Sequence, residues 1–547
     1  MKMIVELTRT KFCPMALGMA LGCAGAAFSA NATDTNAPPA TNAPAALPYG
    51  KKANLSFLKR FDQAELEQAG TPAVSPPDTN APPPPARRIG PQPFDSPPFP
   101  DGDWQLGGGP NVIGDPGALR DSPYPLMQAI YDGPNGKAWY DSRVQVYGWW
   151  TVSGNISSSH DYSKGPTPNF PEVYDERPDR VELDQFVTYV ERMADENQTD
   201  HIDWGFRFAF LFGLDYRFMA SRGYINDVNL LENNHFNGFD TPMTYFNLYI
   251  PQVAQGMQII LGRIISQPDI EQQLAPNNLM MSHSLVYSFD NYTMWGLWSG
   301  TKLSANWLLQ VGLADGVDIA PWETQDPGDQ PTGSILIQYI APNGHDSFYL
   351  GDNSFNNADF GFNNLQESIA SYTHKFNEKW WTAFEGQYMF MDHCTTGPGL
   401  TEVRSKAFPY GVPIAAGSPD RVPYQDGFYP VHAGVIAEGG ICNYTEFRLA
   451  ANAFLSIRNE WWDDGGGARS GYASAYDENS IGVTYFPNKL IFLRPEVRFE
   501  HAFTHNGLAS STAAFNGSGH PETVAGPYDN GTKQSQITFA IDITYHF

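Results

Sequence analysis

The alternation of apolar and polar positions organises this chain, and it is clearest at the C-terminus. From Ile537 to Phe547 the odd-numbered residues are large and apolar, whereas Thr538, Ala540, Asp542, Thr544 and His546 between them are small or polar. Side chains alternate between the two faces of a strand, so this segment has one greasy and one wet face. The same period runs through 204–218. There Trp204, Phe206, Phe208, Phe210, Phe212, Leu214, Tyr216 and Phe218 oppose Gly205, Arg207, Ala209, Gly213, Asp215 and Arg217. It recurs at 490–503, where Ile491, Leu493, Val497 and Phe499 oppose Arg494, Glu496, Arg498 and Glu500. A continuous apolar stripe backed by charges predicts strands with lipid on one side and water on the other.

Sixteen such segments are predicted: 143–155, 181–192, 202–220, 244–253, 257–266, 292–302, 305–315, 333–341, 346–353, 365–376, 379–392, 440–449, 453–464, 478–486, 490–503 and 535–547. The connections alternate in length. Turns of a few residues, such as 254–256, 377–378 and 487–489, alternate with loops such as 156–180, 267–291 and 393–439. Short turns on one side and long loops on the other are the habit of outer-membrane barrels. The expected fold is all-β: a transmembrane antiparallel barrel of about 16 strands over residues 140–547, both termini periplasmic. The strand ending on Phe547 is the segment expected to meet the barrel-assembly machinery.

The N-terminal quarter differs. Lys2, Arg9 and Lys11 precede the apolar run 15–27, and Ala30-Asn31-Ala32 is a small-x-small cleavage site, so residues 1–32 read as a signal peptide. Residues 33–139 form a Pro-, Ala- and Asn-rich periplasmic arm, with Pro82-Pro83-Pro84-Pro85 as its extreme. Within it, Leu55, Leu58, Phe61 and Leu66 predict one short amphipathic helix.

Composition narrows the function classes. The net charge of −26 argues against a nucleic-acid partner, whose phosphates need a basic footprint, and suits a cation-preferring lumen or merely soluble loops. Aromatic residues make up 14% of the chain, as aromatic girdles at two membrane interfaces require. No metal or other cofactor is expected, since no Cys/His spacing resembles a zinc site. Cys394 and Cys442, the cysteines outside the signal peptide, are expected to pair in an oxidising compartment.

One stretch goes beyond architecture. Leu261-Gly262-Arg263, Pro268-Asp269-Ile270-Glu271, Ala275-Pro276-Asn277-Asn278 and Ser282-His283-Ser284 come in that order. Tyr292-Thr293-Met294-Trp295-Gly296 and Gly312-Leu313-Ala314-Asp315-Gly316 follow. This resembles the OmpL-like β-barrel porins, as does 453–464 with Arg458, Glu460 and Trp461-Trp462; Ile264 departs from the aromatic usual after Gly-Arg. The resemblance implies a water-filled channel for passive diffusion of small hydrophilic solutes or ions. It implies no catalytic residue, and a homotrimer is the family-level expectation.

The candidate pore-lining charges are Arg207, Asp215, Arg217, Arg458, Glu460, Arg494, Glu496, Arg498 and Glu500. Two readings stand side by side: opposed walls that select solutes by charge, or pairs satisfied across neighbouring strands. Loop 267–291, the third long connection, is the candidate constriction, through Asp269, Glu271 and His283; an outward course is the alternative. Two further function classes compete. One is a non-conducting anchor or binding barrel in the outer membrane. The other is an outer-membrane enzyme, which Ser282-His283-Ser284 supports poorly because strand neighbours point to opposite faces.

Overall fold

The computed structural model describes residues 123–547, apart from 163–167, 230–235, 266–269, 395–433, 505–513, 516–520, 523–526 and gaps of one to three residues. The expected signal peptide and most of the expected periplasmic arm lie outside the described residues. Two short helices, α1 (Pro125–Tyr131) and α2 (Gly136–Ser142), lead into the sheet.

The strands are β1 (Val144–Ser157), β2 (Arg180–Arg192), β3 (Asp203–Gly213), β4 (Thr244–Ile250) and β5 (Met257–Ile265). Then come β6 (Thr293–Lys302), β7 (Trp307–Asp315), β8 (Pro331–Ile340), β9 (Asp346–Phe355), β10 (Gln366–Asn377) and β11 (Trp380–Cys394). β12 (Gly434–Ala450), β13 (Ala453–Asp464), β14 (Ser474–Asn488), β15 (Ile491–Ala502) and β16 (Ser535–His546) complete the set. The segment Gly238–Asp240 also pairs with β3 and continues β4. Each strand pairs antiparallel with its sequence neighbours, and β1 pairs with β16 from Ser157↔Thr538 to Trp149↔His546. The result is a closed barrel of 16 strands, which leaves no sheet edge to satisfy.

All sixteen predicted strands are present. Their alternation sorts as expected: on β16, Ile537, Phe539, Ile541 and Ile543 are exposed on the outer face, and Gln536, Thr538, Asp542 and Thr544 are buried inside. One expectation fails. The stripe 202–220 is not one strand, because β3 stops at Gly213 and Leu214–Met219 form a 3-10 helix whose six residues are all buried. Gly213 makes this turn with φ 150°, and a Cβ there would lie 2.2 Å from the Asp184 carbonyl. Leu214, Tyr216 and Phe218 therefore pack inside the barrel rather than against lipid.

The inner face of β13–β16 is stacked in rows by the register. Glu460 faces Glu478, which faces Glu500, and Glu500 faces Gln536. One row nearer the short turns, Arg458 faces Ser480, Ser480 faces Arg498 and Arg498 faces Thr538. Like charges directly opposite one another destabilise a sheet, so the acidic row needs donors from outside the row.

Candidate functional site

Those donors come from the arginine row below and from the loop between β5 and β6. The described part of that loop, from Ile270 onward, is buried against the barrel's inner wall. Its polypeptide is held by wall side chains through backbone groups. Glu460 accepts from the amides of Leu285 and Val286, each at 2.7 Å, at the start of the helical turn Leu285–Ser288. Glu496 accepts from the amides of Met281 and Ser282, each at 3.1 Å, and Glu385 accepts from that of Ile270 at 2.6 Å. Arg494 donates to the carbonyls of Ala275, Asn278 and Met280, each at 2.9 Å. From the connection between β13 and β14, Arg469 donates to those of Phe289 and Asp290 at 2.8 and 2.9 Å. Hydrogen bonds with one charged member are about twice as strong as neutral ones, and here they are shielded from water.

Arg458 sits at the centre. Its guanidinium donates to Glu271 of the loop at 2.9 Å, to Glu478 at 3.0 Å and to the Ser282 carbonyl and hydroxyl at 2.7 Å each. Arg498 donates to the His283 carbonyl and to Glu500. Arg494 also pairs with Asp542 on β16 at 3.0 Å. The charges therefore do pair across neighbouring strands, and the same groups also fasten the loop.

Within the loop, Glu271 accepts from the Ser284 amide and hydroxyl at 2.8 and 2.6 Å and from the Tyr444 hydroxyl. It closes a turn rather than facing an open channel. The His283 ring stacks between Tyr174 and Tyr287, with centroids at 3.9 and 4.9 Å. The hydroxyls of Ser282 and Ser284 donate to Glu496 and Glu271, so the serine–histidine triplet is absorbed by the loop's anchorage. Asp269 lies outside the described residues.

The remaining candidates sit across the lumen. Arg207 on β3 donates to Glu191 at 2.6 Å and lies over the Tyr189 ring at 5.0 Å. Asp215 accepts from Gln185 at 2.7 Å, and Arg217 donates to the Phe236 carbonyl at 3.3 Å. Both belong to the 3-10 helix, not to a strand.

The expected disulfide does not form. Cys394 and Cys442 are free and buried. Cys394 lies opposite Gly434, whereas Cys442 lies opposite Glu385, nine residues back along β11. At about 3.3 Å per residue the two ends of that offset are far beyond the ~7 Å Cα separation a disulfide tolerates. The wild type is therefore expected to melt at the same temperature with and without reductant, and to present Cys394 and Cys442 as titratable thiols on denaturation. A reductant-sensitive melting temperature in the wild type would contradict the register.

Several residues of this network were not anticipated: Glu385, Glu478, Arg469, Asp542 and the Arg263–Asp240 pair. Asp542 lay in plain view on the wet face of the last strand, and Arg263 in the Leu261-Gly262-Arg263 motif. Gly262 has φ 144°, and a Cβ there would lie 2.2 Å from the Thr244 carbonyl. Beyond it Arg263 is fully buried and donates to Asp240 at 2.8 Å, the Thr241 carbonyl at 2.8 Å and the Ser221 hydroxyl at 2.7 Å. This ties the loop after β3 to the root of the inward loop.

Residues 144–547 match the family model described as "Putative beta-barrel porin-2, OmpL-like". The chain belongs to this outer-membrane porin family. Family and fold point to a channel rather than an enzyme. Among solved structures, the porin is similar to an anion-selective porin from Comamonas acidovorans, at 10% identity over 74% of this chain and 99% of that chain, with a TM-score of 0.43. It is similar to the outer-membrane channel DcaP of Acinetobacter baumannii at 12% identity, 74% and 97% coverage, and a TM-score of 0.41. A trimer form of OmpT from Vibrio cholerae gives 10% identity, 74% and 99% coverage, and a TM-score of 0.40. No curated protein sequence matches the chain.

Proposed function

We propose that this porin is a passive-diffusion channel for small hydrophilic solutes, narrowed by the β5–β6 loop and preferring cations. The observation that carries the reading is the clamped inward loop, which gives the lumen a fixed constriction instead of a mobile flap. Cation preference is supported by an asymmetry between the walls. On β13–β16 the carboxylates meet arginines, as at Glu478 and Asp542. On the β1–β2 side Asp184 is held by the Ser153 hydroxyl at 2.8 Å, and Asp175 by the Asn155 amide at 2.9 Å. A carboxylate held only by neutral donors adds negative potential to the lumen wherever it is ionised, and rings of such groups favour cations.

In this reading the short turns and both termini face the periplasm, and Phe547 marks the closing strand for the barrel-assembly machinery. The unbroken outward column Trp204, Phe206, Phe208, Phe210 and Phe212 on β3 supports a homotrimer. Girdles place aromatics at the two interfaces, whereas this column runs through the middle of the strand.

A planar bilayer under a KCl gradient tests the proposal. Stable ohmic steps with a reversal potential toward the cation limit are expected, and the potential moves toward zero in D184N/D175N. Steps with an anion-side reversal potential would sink the cation preference. A second reading, a non-conducting anchor, draws on the close packing of the lumen: Arg458, Glu478, Glu500 and Ser284 are all nearly inaccessible. Absence of current from the folded barrel would select it.

A further inference from the structure

The inner wall of the barrel is not polar at its short-turn end. Six strands in succession present an aromatic ring inward there, and the rings touch in sequence around the wall. Phe454 on β13 lies 6.3 Å from Phe486 on β14, which lies 5.6 Å from Phe492 on β15. Phe492 lies 6.0 Å from His546 on β16, His546 6.1 Å from Trp149 on β1, and Trp149 5.3 Å from Tyr189 on β2. A water-filled lumen is normally lined by polar groups. An arc of this length exposed to water would forfeit the hydrophobic gain of each ring left uncovered. Yet all six rings are buried.

The segment ahead of the barrel covers this arc at His546. Tyr124, at the N-terminal edge of α1, stacks on His546 at 5.1 Å with an interplanar angle of 15° and meets Tyr147 at 5.5 Å. Tyr124 also packs with Leu490, in the turn between β14 and β15. One turn further on, Met127 is buried and its sulfur accepts from the Val146 amide at 3.3 Å. Gln145 on the inner face of β1 donates to the Tyr131 hydroxyl at 2.5 Å. So α1 is bound to inward-facing groups of the lumen, not to the lipid face.

We propose that α1, led by Tyr124, is an internal stopper seated on this aromatic arc. It makes a second, dry constriction at the short-turn mouth, in series with the clamped β5–β6 loop. The inference rests on the channel reading above. Apolar constrictions block water and ions without filling the whole cross-section, and they open when the apolar contact is displaced. The stopper belongs to the same chain, so its local concentration at the mouth is fixed by the short connection through α2 to β1. Displacing α1, by a partner that binds the preceding arm or by force on it, would open the exit without disturbing the barrel.

Single-channel recording of the full chain and of Y124A/M127A in the same KCl solution tests this. The double variant is expected to give steps about twofold larger or more, or a matching rise in open time. Equal steps and open times in the two proteins would overturn the stopper while leaving the channel intact. Silence from both would overturn the channel reading, and the stopper with it. Should the double variant fail to fold, hydrogen exchange on the wild type decides. The amides of Gln128 and Asp132, bonded to the Tyr124 and Gln128 carbonyls, are expected to exchange slowly. Exchange at free-peptide rates would show α1 unseated and end the proposal.

Discussion

Replacement of Arg458 by methionine is expected to release the inward loop and give larger, noisier conductance steps. The guanidinium bridges Glu271 of the loop and Glu478 of the wall and lies 3.6 Å from Glu496, with its own side chain fully buried. Methionine keeps much of the volume but takes the ion-pair partner from Glu271 and Glu496 and leaves Glu478 with Arg498 alone, at 4.0 Å. Breaking a buried ion pair from one side costs about 3–5 kcal/mol, because the orphaned charge stays in a poor solvent. The lost donors to the Ser282 carbonyl and hydroxyl loosen the segment that Glu496 and Glu460 also hold. R458K should recover little, since a single ammonium cannot serve a carboxylate on each side in the geometry of a planar fork. The readout is paired: single-channel noise for the loop, and the temperature of the heat-modifiable gel shift for the barrel. Wild-type noise in R458M would show that the loop is held by its packing alone.

The second large effect is expected at Arg263. R263L leaves Asp240 buried with its ion-pair partner removed and takes the donors from Ser221 and the Thr241 carbonyl. The cost is again about 3–5 kcal/mol, but it falls on a different place. Gly238–Asp240 is the short extension that pairs with the end of β3. Its loss should open the long-loop rim between β3 and β5 and leave the β13–β16 wall intact. Limited proteolysis should therefore show new cleavage around residues 219–243, with the gel shift of the remaining barrel lowered but retained. Unchanged proteolysis would mean that the rim is fixed by its aromatic contacts, such as Tyr224 beneath the Arg263 guanidinium at 4.2 Å.

How much of this was legible in the sequence follows from the range of the forces involved. Period-two patterning is local, and each strand carries its own copy, so all sixteen strands, the two faces and the alternation of short and long connections could be read residue by residue. Closure follows too, because lipid tolerates no open sheet edge. The misreading at 202–220 shows the limit of that signal. Leu214, Tyr216 and Phe218 continue the alternation beyond Gly213, yet one glycine at φ 150° turns the chain inward, and an apolar face is as content in a packed lumen as in lipid.

The tertiary structure alone decided what the charges do. Arg458, Arg494, Arg498, Glu460 and Glu496 could be placed on the wet face from sequence, but not matched to partners some 175 to 219 residues away in the chain. Those partners are mostly backbone amides and carbonyls, which carry no residue identity for a pattern to detect. The cysteines make the same point in reverse: they looked like a pair by count and compartment, and register set them apart. The sequence determined a lipid-facing barrel with a charged interior, since these depend on the chemistry of successive residues. Only three-dimensional packing decided that the interior charges clamp a loop and that an aromatic arc seats the helix before the barrel, because both depend on which distant segments share one enclosed volume.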